Sequence, residues 1–150
     1  MLEDPATNAV RANTSSTILS ISPFEEDHAR LQGIVGRLSK LVTAQNFSAA
    51  RRLLECHDVF LVICERDSPP TTWVEWLDYT LSLPNPPFLI VTSRLADERL
   101  WAEVLNLGGW DVLAKPFDDS EVLRIVRSTL ERHRSPSAAI ARRFSLTVAG

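Results

Sequence analysis

Five short runs rich in β-branched and other apolar residues recur along this chain, and a segment of helical period follows each one. The runs are 17–21, 40–44, 59–64, 88–92 and 111–114. Such an alternation admits few folds. Strands separated by helices pair in parallel through right-handed crossovers, and the helices then cover both faces of one sheet. The third and fourth runs, Val59-Phe-Leu-Val-Ile-Cys64 and Phe88-Leu-Ile-Val-Thr92, are almost wholly apolar, as central strands buried on both sides require. The fold class is therefore α/β.

The intervening segments carry helix start and stop signals. Glu25, Glu26 and Asp27 crowd the first turn of helix one, where the macrodipole favours negative charge. Leu31, Ile34, Val35 and Leu38 supply its apolar stripe. Helix two is expected from about Ser48 to Glu55, with Ala50, Leu53 and Leu54 inward. Helix three, from about Thr72 to Ser82, carries Trp73, Trp76, Leu77 and Leu81 before Pro84-Asn-Pro-Pro87 stops it. Helix four, from about Asp97 to Leu107, is expected to bury Leu100, Val104 and Leu107 and ends at Gly108-Gly109. Asp118-Asp-Ser-Glu121 has the capping-box pattern and opens helix five, which buries Val122, Val126 and Leu130.

The organisation expected for the 150 residues is a polar leader over 1–16, one domain over 17–134 and a mixed tail over 135–150 that contains Arg142-Arg143. With 45% hydrophobic and 23% charged residues, a chain of this size buries a core without a metal or disulfide staple. The net charge of −3 argues against nucleic acid or anionic lipid as a partner. No apolar run approaches the roughly 20 residues that span a bilayer, and Glu3 and Asp4 do not suit a signal peptide. Cys56 and Cys64 lack zinc-type spacing, so Cys64 reads as a buried thiol and the compartment as a reducing cytoplasm. His28, His57 and His133 are scattered and are expected at the surface. No Gly-x-Ser-x-Gly elbow occurs, and the turn after the first strand is Ser22-Pro-Phe-Glu25, not a glycine-rich phosphate loop. No catalytic set and no metal-ligand set emerges, and the chain reads as a non-enzyme.

Lys115-Pro116-Phe117, just past the fifth strand, resembles the corresponding motif of bacterial response-regulator receiver domains. Thr92-Ser93 at the end of strand four, Gly108-Gly109 and Asp111 before strand five, and Asp118 and Glu121 at the start of the last helix are similar to that family too. The resemblance spans about Thr17 to His133. It implies a flavodoxin-like (βα)5 sandwich with parallel strand order 2-1-3-4-5, helices one and five on one face, and helices two, three and four on the other.

The resemblance also implies site positions. Counting back from Pro69, the phosphoryl acceptor of the family falls on Glu65, the acidic pair that holds Mg²⁺ falls on Ser22 and Pro23, and the aromatic switch falls on Val112. The phosphate-reading Thr and Lys are present as Thr92 and Lys115. These departures oppose ordinary phosphotransfer. Mg²⁺ requires hard oxygen ligands, and Pro23 offers no side-chain oxygen. Glu65 is one methylene longer than Asp, and misplacing a nucleophile by about 1 Å can cost about 10²-fold in rate. The expectation is weak or no Mg²⁺ binding, no cofactor, and a fixed, partly exposed Glu65–Lys115 ion pair. Signalling would then run through protein contact, with a protein partner or a second copy of the chain on a face containing Trp101, Leu105 and Trp110. The alternatives are a phosphorelay receiver modified at Glu65 or Asp67, and a flavodoxin-like small-molecule binder that uses the crevice at the strand ends.

Overall fold

The computed structural model describes residues 16–135. The expected leader and tail, with Arg142 and Arg143, fall almost wholly outside the described residues. Strands β1 (Thr17–Ile21), β2 (Lys40–Ala44), β3 (Val59–Glu65), β6 (Phe88–Ser93) and β7 (Asp111–Ala114) form one sheet. Its order is β2-β1-β3-β6-β7, and all four pairings are parallel. This is the expected 2-1-3-4-5. The remaining strands, β4 (Asp67–Ser68) and β5 (Thr71–Thr72), pair antiparallel in a separate small hairpin beyond β3.

The helices are α1 (Glu25–Val35), α2 (Phe47–Cys56), α3 (Trp73–Leu81), α4 (Glu98–Asn106) and α5 (Asp119–Arg134). Side chains of a strand alternate between faces, so one sheet feeds two cores. Ile18, Leu61, Ile63, Ile90 and Leu113 meet Leu31, Ile34 and Val35 of α1 and Val122, Ile125, Val126 and Leu130 of α5. Leu19, Ile21, Val62, Cys64, Leu89, Val91 and Val112 meet Ala50 of α2, Trp73, Trp76 and Leu77 of α3, and Leu100 and Val104 of α4. The distribution of helices over the faces is the expected one. Among the described residues no helix is long and apolar enough to cross a membrane.

Local chemistry sets the element ends. Asn46 caps α2 by accepting from the Ala49 N–H at 2.9 Å. The Asp118 carboxylate accepts from the Glu121 N–H at 3.1 Å and from Ser120 Oγ at 2.7 Å. The fully reciprocal box occurs at α3, where Thr72 Oγ1 accepts from the Glu75 N–H and the Glu75 carboxylate accepts from the Thr72 N–H. Gly108 has φ +106°, a conformation open to glycine, and turns the chain from α4 back to the sheet.

Four expectations about burial need correction. Leu107 does not join the α4 stripe: it is the C-cap, past the last turn, and is 46% exposed. His28 is not a surface residue but is buried in α1. His57 and His133 are partly buried too, the ring of His133 lying 5.4 Å from that of Phe60.

Candidate functional site at the strand C-terminal edge

The carboxyl ends of parallel strands, together with the helix N-termini that follow them, bring polar groups to one edge of a doubly wound sheet. At this edge β3 ends in Glu65, β6 in Thr92 and Ser93, and β7 leads directly into Lys115. Glu65 and Thr92 are register partners. The Lys115 N–H donates to the Ser93 carbonyl at 3.0 Å, so the lysine begins from a fixed backbone position.

The Lys115 ammonium sits between two carboxylates. Its Nζ lies 2.5 Å from Glu65 Oε1 and 2.9 Å from Asp27 Oδ2. The three side chains are 6%, 4% and 9% exposed for Lys115, Glu65 and Asp27, so this is a buried cluster and not the partly exposed pair expected from the sequence. The Phe24 ring covers the ammonium, with its centroid 4.8 Å away. Burial works against the charge on Lys115, but its hydrogen bonds to Glu65 and Asp27 and their negative charges prevail and raise its pKa above 10.5.

Neutral donors complete both carboxylates. Ser22 Oγ donates to Asp27 Oδ2 at 2.7 Å, and the Asp67 N–H donates to Glu65 Oε2 at 3.3 Å. Ser22 is itself held in place: its Oγ accepts from the Phe24 N–H at 3.1 Å, and its carbonyl lies 3.0 Å from His28 Nε2. The other ring nitrogen of His28 meets Ser20 Oγ at 2.9 Å. A chain of contacts therefore runs from β1 through His28, Ser22 and Asp27 to Lys115 and Glu65. Burial drives the pKa of the neighbouring Cys64 thiol well up, and the charge of Glu65 adds to the effect.

Of the positions singled out in the sequence, Ser22, Glu65, Thr92 and Lys115 are gathered at this edge, while Pro23 and Asp67 are exposed. Asp27 was misread as one of three acids that compensate the α1 dipole. The signal that could have found it is its spacing: Asp27 lies four residues before Leu31 and seven before Ile34, on the buried stripe of the helix. Glu25 and Glu26, on other faces, are exposed.

The donor set does not fit the Mg²⁺ that the resemblance implies. Pro23 supplies no oxygen ligand, and the Lys115 ammonium is already placed against both carboxylates. Among the described residues, no three His, Cys, Asp or Glu side chains are grouped to hold a metal ion. A cleft of about 410 Å³ opens beside the cluster and is lined by Glu26, Asp27, Arg30, Arg94, Lys115 and Phe117.

The expected contact face divides. Trp101 is 50% exposed, while Leu105 is half-buried. Trp110 belongs to the opposite core layer: it packs on Phe88 at 4.7 Å between centroids, with the Arg132 guanidinium 5.5 Å from its ring. The neighbouring strand holds it there: the Trp110 N–H is fastened to the Leu89 carbonyl of β6 at 2.7 Å as the chain enters β7.

No protein-family model matches the chain. It is 33% identical over 101 residues to the transcriptional regulatory protein CpxR homolog of Haemophilus influenzae, a match that covers 66% of this chain. The chain spans only 43% of that relative's length. Among solved structures, it is similar to the signal receiver domain of an HD domain-containing protein from Pseudomonas fluorescens, with a TM-score of 0.70 and 29% identity over 77% of this chain and 94% of that one. A two-component response regulator from Clostridium difficile superposes with a TM-score of 0.72 at 18% identity, over 80% of this chain and 99% of the other. Sheet order, the Lys115-Pro116-Phe117 edge and these likenesses converge: the described residues have the fold of response-regulator receiver domains and are similar to them.

Proposed function

We propose that this receiver domain works in signal transduction by protein contact and does not carry out ordinary phosphoryl transfer to its strand-end carboxylate. The observation that supports this reading is the Lys115 ammonium set between Glu65 and Asp27. In-line phosphoryl transfer to a carboxylate needs a free nucleophilic oxygen and a cation that neutralises charge on the phosphoryl oxygens. Here one oxygen of Glu65 is paired with an ammonium and the other accepts a backbone N–H. The cation in the cluster is a covalently tethered lysine, which cannot also bridge an incoming phosphoryl group without leaving Asp27 or Glu65. Signal output then depends on a surface, and the exposed Trp101 marks the face toward a protein partner.

Incubation of the purified chain with acetyl phosphate and Mg²⁺, followed by intact mass measurement, tests this. The expected spectrum shows no phosphoryl adduct. A stoichiometric adduct that maps to Glu65 or Asp67 would establish a phosphorelay receiver instead.

A further inference from the structure

The amino ends of the parallel strands form the edge opposite the charged cluster, and a hollow of about 180 Å³ opens there. Leu54, Val59, Leu83 and Pro87 give it an apolar wall, and Asp58 stands on its rim. Asp58 is exposed and has no ion-pair partner among the described residues. Helices α2 and α3 both end at this edge, and neither has a basic residue in its last turn. Their carbonyl ends therefore add to the negative potential of Asp58. No lysine or arginine lines the hollow.

The last described helix ends nearby. The ring of His133, in the final turn of α5, lies 5.4 Å from that of Phe60, and Phe60 directly follows Val59 in β3. Beyond Ser135 the sequence reaches Arg142-Arg143-Phe144-Ser-Leu-Thr-Val148, two cations followed by apolar side chains at every second position. The residues from 136 to 143 span about 27 Å when extended. Passing from the α5 layer across the sheet edge to the α2 and α3 layer takes about 20 Å, since packed layers lie about 10 Å apart.

We propose that this hollow receives the chain's own C-terminal segment, with the Phe144 ring inside it and Arg142 and Arg143 against Asp58 and the carbonyl ends of α2 and α3. Cavities of about 150 Å³ hold a benzene ring, so the hollow accommodates one phenyl side chain. Tethering favours the chain's own segment over that of a second copy. A short flexible linker gives a local concentration in the millimolar range, so a contact too weak to hold separate chains together is well populated within one. The leader also reaches this edge, because the Thr17 N–H donates to the Asp58 carbonyl at 3.3 Å. Residues 1–15, however, offer one cation, Arg11, and no aromatic ring.

A nitroxide label on the full chain tests the inference. Cys56 is exposed and Cys64 is buried, and Cys56 immediately precedes His57 of the hollow, so a single label marks the site. In nuclear magnetic resonance spectra the amides of residues 142–148 are expected to broaden. Phe144→Ser should lower the ratio of docked to free segment about tenfold, and Asp58→Asn about threefold. Added salt should lower it as well. In the unlabelled chain, hydrogen exchange of the same amides should be about fivefold slower than in Phe144→Ser. The changed side chains lie outside the two cores, and unshifted resonances of the sheet verify the fold of each variant. Equal broadening in the parent chain and Phe144→Ser, or equal exchange, would overturn the inference. Broadening of residues 8–12 in place of the tail would assign the hollow to the leader and overturn it too. So would broadening that appears only when labelled chains are mixed with unlabelled, isotope-enriched ones, which would assign the hollow to a second copy. The inference concerns the edge opposite Glu65 and Lys115, so it stands or falls separately from the mass measurement with acetyl phosphate.

Discussion

At the scale of single residues, Lys115 holds the strand-end edge together. A buried ion pair is weak evidence of stability in itself, because desolvation offsets the attraction. Removing one partner is different, since the charges left behind have no counter-ion. Lys115→Met leaves Asp27 and Glu65 facing each other and is expected to lower stability by about 3 kcal/mol in urea unfolding at neutral pH. Glu65→Gln keeps the Asp27–Lys115 pair and should cost clearly less. The reverse order would show that the cluster is not held by its lysine. The cluster also has a pH signature. The pKa of Lys115 in the folded chain lies above 10.5, the value it has in the unfolded chain, so the folded state binds more protons across that interval. The contribution is complete below pH 10.5 and is lost as pH rises through the folded-state value. Urea midpoints measured from about pH 9 to about pH 12 should fall more steeply for the wild type than for Lys115→Met. Equal slopes would contradict this.

At the scale of elements, caps and turns decide where each helix stops and which side chains it presents. Thr72→Ala removes one half of the reciprocal box at α3 and should cost about 1 kcal/mol. Gly108→Ala forces a side chain into a φ of +106° beside the Leu81 methyl at 3.3 Å, and should cost about 1–2 kcal/mol. Chemical denaturation of the two variants checks both values. On α4 the exposed and buried residues differ sharply in expected effect. Trp101→Ala should leave the melting temperature nearly unchanged, because the residue is already half exposed to water, whereas Val104→Ala opens a hole at a fully buried position. A large drop in melting temperature for Trp101→Ala would show that the residue supports the fold and would remove it from the contact face. The length of α4 also explains the exposed Leu107. Periodicity placed it seven residues after Leu100 on the same stripe, but the helix ends at Asn106 before the stripe can bury it.

At the scale of the whole molecule, one sheet is shared by two apolar layers, so neither layer can be lost without exposing the other side of the same strands. Unfolding monitored by far-ultraviolet circular dichroism and by tryptophan fluorescence should therefore trace coincident transitions. Separate transitions would mean that the layers unfold independently. The alternation of apolar runs and helical periods determined the five strands, the five helices and the faces they cover, because strand and helix patterns are set by neighbours in the chain. Glycine, proline and cap residues marked most boundaries for the same reason. The convergence of Glu65 and Lys115 could also be read from the sequence, since both follow directly from the ends of central strands. The burial of His28 and the departure of Trp110 from the contact face could not, and for Asp27 the spacing showed the stripe it lies on but not the lysine it meets. Each depends on how deeply a helix turn or a strand entry sinks against elements distant in sequence. Only the packed sheet decides that depth, and it made an acid at a helix start into the second partner of a lysine 88 residues away.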